Sequence, residues 1–206
     1  MAKPETFVLA AQIAAELHFA TRVAEQLALT AKNAHAVSAR AGQQASGFRA
    51  ITRFIEDLAV TTIQQANAIT QNAIAISTQA TNRERVNQAL QHFLQVKDTA
   101  TTAEFIASIN TPLQQTQSDL KQQEESFQRL LWTLKSQLDE SQQQIRSAAI
   151  ISSTSKVEAS QAGSFQLQLE VIAANIASAA ENIKQHLLQA QHLLDLTLTS
   201  LALPSR

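Results

Sequence analysis

Residues 48–76 read FRAITRFIEDLAVTTIQQANAITQNAIAI, and a row of positions in them steps by three and four: Phe48, Ile51, Ile55, Leu58, Thr62, Gln65, Ile69, Asn72 and Ile76. That spacing is a helical heptad seam, and its polar members, Thr62, Gln65 and Asn72, are of the kind that set register rather than add stability. Moving 121 residues along the chain gives a second row in the same phase: Leu169, Ile172, Ile176, Ala179, Ile183, His186, Ala190, Leu193 and Thr197. The two stretches therefore predict two equivalent helices, the second and fourth of the chain. A self-similarity at fixed offset is an architectural signal.

The remaining segments complete the pattern. Helix one is expected to open at Pro4, a favoured first-turn residue, with a seam through Ile13, Ala20, Val23, Leu27, Thr30, Ala34, Val37 and Ala41. A parallel row, Phe7, Ala10, Ala14, Leu17, Thr21 and Ala24, widens its stripe to the width a bundle helix buries. Helix three is expected to open at Thr111-Pro112 and to run through Leu113, Thr116, Leu120, Phe127, Leu130, Leu134, Leu138 and Ile145. Bends are predicted near 42–47, at Gly42 and Gly47, and near 160–166, around Gly163. The helix-poor run from Lys97 to Thr102, then a short helix from Ala103 to Ile109, reads as a connection. Residues 1–97 thus form one hairpin, 98–111 the connection and 112–206 a second hairpin in one continuous body. Both bends lie at one end, on arms of about 60 Å at 1.5 Å per residue. The expected fold is all-α: an elongated, antiparallel four-helix bundle or coiled coil made of two helical hairpins on one chain.

Composition points the same way. Three Gly and three Pro among 206 residues are too few for the turns of a many-stranded β protein. With no Cys there is no disulfide framework or thiolate site, which fits a cytoplasmic setting. A net charge of −1 without a long basic run argues against nucleic acid as the main partner. No signal peptide and no apolar run of membrane-spanning length are legible, so a soluble, cytoplasmic protein is expected.

The segment from Val23 to Ala59 resembles, without gaps, the cytoplasmic signalling-tip hairpin of bacterial methyl-accepting chemotaxis receptors. The resemblance is carried by Ala24, Gln26, Leu29, Ala31, Asn33, Ala34, Ala39, Arg40, Ala41, Gly42, Gly47, Phe48, Ile51, Ile55, Leu58 and Ala59. A fainter copy spans Thr154 to Ala180, through Val157-Glu158-Ala159-Ser160, Ala162-Gly163, Val171-Ile172-Ala173 and Ile176. In that family the tip docks the chemotaxis histidine kinase and its coupling protein and packs receptors together. The resemblance implies partner contacts at Leu29, Lys32, Val37, Arg40, Ala50 and Phe54 in the first copy. In the second they fall on Ile150, Ser153, Glu158, Gln161, Val171 and Asn175. Several positions depart from the family pattern. Val37 stands where the family has its tip Glu, Ser46 where it has a second tip Arg, and Glu56 where it has the Arg of the following helix. Lys32 replaces an apolar contact, and Gln161 replaces the Arg in the copy that keeps Glu158.

No catalytic constellation is legible. His18, His35, His92, His186 and His192 form no i, i+4 pair and read as seam or surface residues, and no glycine-rich phosphate loop is present. Trp132 reads most simply as core, and Phe105 and Ile106 as packing onto the base of the bundle. The expectation is a non-enzymatic interaction protein without cofactor or metal. It would dock through its hairpin tips to a chemosensory kinase, coupling protein or receptors. A phasin-like coat on a granule or lipid surface is the alternative, together with a receptor-derived scaffold that serves an unrelated partner. One chain already supplies four helices, so a monomer is expected, with higher assembly through the tips left open.

Overall fold

The computed structural model describes residues 6–100 and 104–202. All regular structure in them is helical: α1 (Thr6–Ala41), α2 (Ser46–Thr99), α3 (Asn110–Ser160) and α4 (Gln166–Ala202). Single 3₁₀ turns, Gly42–Ala45, Ile106–Ile109 and Gly163–Phe165, sit between them. The outer pair, of 36 and 37 residues, would measure about 55 Å, and the inner pair, of 54 and 51 residues, about 80 Å. Pro4 and Ala103, the expected starts of the first helix and of the short connecting helix, lie outside the described residues. Pro112 falls in the first turn of α3, where its missing N–H costs nothing. The helices take in more of the connection than expected. Asp98 and Thr99 stay in α2, the latter returning its hydroxyl to the Gln95 carbonyl at 2.8 Å.

Each long helix packs on two others: α1 on α2 and α4, and α3 on the same two. The α2–α3 pair runs antiparallel, because from Gln65 to Arg83 in α2 the partners in α3 run from Ser141 back to Gln123 and Glu124. Ser141 donates to Gln65 Oε1 at 3.0 Å, Asn72 to Gln137 Oε1 at 3.2 Å, Gln79 to Gln123, and Arg83 to Glu124 at 2.9 Å. These polar contacts lock the axial register of the interface, since a slip would leave half-buried amides unpaired.

The core differs from the sequence reading in one instructive way. Phe48, Ile55, Thr62, Ile69 and Ile76 are buried as expected. Thr52, Ala59, Ala66 and Ala73 form a further buried row of α2 that the seam leaves out, while in the row of Ile51, Leu58, Gln65 and Asn72 the first and last are buried and the middle two half-buried. The latter row flanks the seam and faces α3, where Gln65 and Asn72 make their bonds. Apart from Thr52 that further row in α2 is alanine, so the bulk on this side of the helix sits on the flank. α4 repeats this: Ala173, Ala180, Leu187 and Leu194 join Leu169, Ile176, Ile183 and Ala190 in the core.

Buried positions also map onto buried positions across the 121-residue offset. Leu17 matches Leu138, Ala24 matches Ile145, Phe48 matches Leu169, Ile55 matches Ile176, and Ala59 matches Ala180. The two halves of the chain thus bury the same heptad positions.

Away from the turns, the apolar interior thins before the inner helices end, and among the described residues of α3 before Phe127 only Leu113 is buried. Beyond Ile76 no described residue of α2 is fully buried. The Arg83 guanidinium lies 4.5 Å above the buried Phe127 ring and pairs with Glu124, closing the core with a cation over an aromatic face. The expected packing of Phe105 onto the base is not observed, for its side chain is 75% exposed. No helix among the described residues is long and apolar enough to cross a membrane.

Candidate functional site

The two short turns meet at one end. α1 stops where Gly42 takes φ +61°, and the α3 to α4 turn passes through Gly163 at φ +55°. This left-handed conformation ends helices and favours glycine, and the two glycines occupy matching places in the two halves. Arg49 ties the first turn to its own hairpin by donating to the Gly42 carbonyl at 3.2 Å and that of Ser38 at 3.5 Å.

Contacts between the hairpins join the turns into one surface. The Glu158 carboxylate occupies the space that a Cβ on Gly47 would take. Gln44 Oε1 stands 2.9 Å from the corresponding point on Gly163. Beneath them lies a small core of its own, made of Ala34, Val37, Ala41, Ala45, Phe48, Ala159, Ala162, Leu169 and Ala173. Phe48 and Leu169, from opposite hairpins, supply most of its bulk. Three buried hydroxyls stand where this core approaches the larger one: Ser38, Thr52 and Ser155. Each returns its proton to its own helix, to His35, Arg49 and Ile151 carbonyls at 3.0, 2.8 and 2.7 Å, so none bridges helices.

Most of the residues that the sequence assigns to partner contacts reach the surface here. Leu29, Phe54, Ile150 and Val171 are each more than half exposed, and Lys32, Arg40, Ala50, Ser153, Gln161 and Asn175 are exposed. Glu158 is half-buried against Gly47. Val37 is a correction: at 4% exposure it belongs to the tip core. An apolar residue stands there in place of a carboxylate, and burial is what an apolar side chain gains from. It offers only the floor of a groove between α1 and α4, whose walls include Asn33, Ala36, Arg40, Leu167 and Val171.

Three features escape the sequence pattern. Trp132 is 64% exposed rather than core, because it falls one position past the buried Leu131. Val157, one heptad beyond Ile150 in α3, joins Leu167 in adding exposed apolar surface near the turns. His186 Nδ1 lies 2.8 Å from Glu16 Oε2, with Phe19 stacked on the imidazole at 5.5 Å between centroids. Histidine and carboxylate are 170 residues apart, so only the pairing of α1 with α4 brings them together. Among the described residues no group of three or more His, Asp or Glu side chains is placed to hold a metal ion. No protein-family model, curated protein or solved structure matches the chain.

Proposed function

We propose that the chain is a non-enzymatic interaction protein: an antiparallel four-helix bundle of two hairpins whose paired turns form one docking end. The single observation that carries this reading is the joining of the two turns, Gly47 against Glu158 and Gly163 against Gln44, over a shared core. A bundle built only for stability gains nothing from exposing Leu29, Phe54, Ile150 and Val171 around that end. The resemblance of residues 23–59 to the chemoreceptor signalling tip supports a chemosensory partner in the cytoplasm: a histidine kinase, its coupling protein or receptors. Arg40 and Glu158, one from each hairpin, would supply the charged contacts.

The test is isothermal titration of the full chain, kept dilute, against a purified chemotaxis kinase and coupling protein. Binding in the micromolar range that Arg40→Glu and Phe54→Ser each weaken roughly tenfold supports the reading. Absence of binding at tens of micromolar, with the tip shown folded by amide exchange, removes it. The granule-coat reading has one observation behind it, the apolar residues exposed along the shaft such as Phe19, Ile74, Trp132 and Leu188. It predicts a change in helicity on lipid vesicles, where a closed bundle would show none.

A further inference from the structure

The exposed apolar residues of the turn-bearing half are not scattered around it. Leu29 and Val171, with Leu167, lie on the face made by α1 and α4, whose groove includes Val171 and Leu167. Ile150, Val157 and Phe54 lie on the opposite face, made by α3 and α2. The helix periodicity fixes that placement. Phe54 is one heptad from Gly47, which touches α3, and Ile150 and Val157, one heptad apart, lie on the solvent side of α3 beside the flank from which Glu158 touches α2. Leu29 and Ile150 are equivalent across the 121-residue offset, as are Ala36 and Val157, so the two patches stand at the same distance from the turns.

Their charges are opposite. The α1–α4 face carries Arg40 in its groove and Arg22 one heptad from Leu29. Of the acids of these helices, Glu16 lies on this face but is bonded to His186, Glu181 lies in the α3–α4 groove with Lys184, and Glu25 falls on the flank of α1 toward α2. The α2–α3 face carries Asp57, Glu140 and Glu158. Its nearby bases are also turned aside: Arg146 faces α4, Arg49 reaches back to α1, and Arg53 follows one turn later on the same flank.

We propose that these two faces bind each other between copies of the chain, the α1–α4 face of one against the α2–α3 face of the next, with the rods parallel. In that register Arg40 meets the level of Glu158, Arg22 that of Glu140, and Leu29 that of Phe54 and Ile150. A second copy is the occupant because one chain carries both halves of a complementary pair at one height. The faces are on opposite sides, so the contact is heterologous and propagates as an open row rather than closing as a dimer. Three large apolar side chains a side fall short of the roughly 800 Å² per partner of a stable interface, so association is weak and strengthens with concentration. It is also salt-sensitive, since the charged partners lie at the surface.

Sedimentation velocity of the full chain, from about 10 µM to about 1 mM at low ionic strength, tests this. The expected result is a sedimentation coefficient that climbs without a plateau at dimer and falls back in about 0.5 M salt. Arg22→Glu with Arg40→Glu should abolish the climb, as should Glu140→Lys with Glu158→Lys, while an equimolar mixture of the two double variants should restore it. Far-ultraviolet circular dichroism verifies that each is folded. If one is not, Leu29→Ser with Val171→Ser takes its place and should abolish association alone. A wild-type chain that stays monomeric throughout, a plateau at dimer, or a mixture that does not recover overturns the proposal. Binding to the kinase and coupling protein is read at dilutions where rows do not form, so the failure of either proposal is visible separately.

Discussion

Replacing Phe48 with alanine should open the turn-bearing end while leaving the shaft folded. Phe48 is fully buried and, with Leu169, fills a core otherwise made almost wholly of alanine. A buried phenylalanine removes on the order of 150 Å² of apolar surface from water, worth about 4 kcal/mol at 25 cal/mol per Å². Phenylalanine-to-alanine changes in cores cost about 3–5 kcal/mol, in agreement. Total stabilities of ordinary domains are about 5–15 kcal/mol, and a cluster this small holds only part of that. The loss should therefore exceed what the tip can bear locally before it exceeds what the whole chain can bear. Hydrogen exchange read by mass spectrometry is the assay. Amides of residues 34–50 and 157–173 should lose protection by two or more orders of magnitude, while those of 10–28 and 176–194 keep most of theirs. Protection lost equally along all four helices would show that the two cores are one cooperative unit. Protection unchanged at the turns would show that Phe48 is not what holds them.

Leu17→Ala and Leu138→Ala remove fully buried, equivalent side chains from the two hairpins, and each should cost about 2–5 kcal/mol in urea unfolding, with the pair agreeing to about 1 kcal/mol. A large inequality would break the equivalence of the halves. Gly42→Ala meets no atom, so its cost is the left-handed backbone alone, about 1 kcal/mol after the stiffer unfolded chain is allowed for. Gly47→Ala meets only the flexible end of Glu158, which can swing aside, so helix propensity should leave it neutral or slightly stabilising in urea unfolding. A loss at Gly47 larger than at Gly42 would contradict that reading. Hydrogen bonds from Gln185 and Lys184 hold the Glu181 carboxyl below its usual range. A lowered folded value favours the fold above the unfolded carboxyl's range and stops doing so as acid protonates the group. The helicity advantage of wild type over Glu181→Gln should thus be present at neutral pH and disappear through the carboxylate range, as a circular-dichroism titration would read.

Helix content, hairpin bends and the heptad phase of α2 and α4 were legible because periodicity and glycine placement act locally. The centre of each seam was not. Ile51 and Asn72 are buried as the seam expects, but Leu58 and Gln65 between them are only half-buried, and the fully buried row of Thr52, Ala59, Ala66 and Ala73 beside them was not read. How closely two helices approach is a property of the pair, and one helix's sequence does not state it. Trp132 misled for the same reason: among Leu130, Leu131 and Leu134 its neighbours are buried or partly so, and one step around the helix turns the indole outward. At the turn-bearing end, the positions assigned by resemblance are exposed except the half-buried Glu158 and the buried Val37, whose residue type, apolar in place of an acid, favours burial. The Glu16–His186 pair needed the neighbour relation of α1 and α4, which local pattern does not contain.

The early closing of the core at Arg83 and Phe127 has a mechanical consequence. From there the inner helices continue without the outer pair beside them, to Thr99 in α2 and back to Asn110 in α3. Bending stiffness rises steeply with the number of helices coupled across a section, so compliance concentrates where four become two. The Arg83 layer is then the fulcrum of a lever. Force applied at the far end of the inner pair would bend the molecule at this layer first, before it reaches the part where all four helices run together.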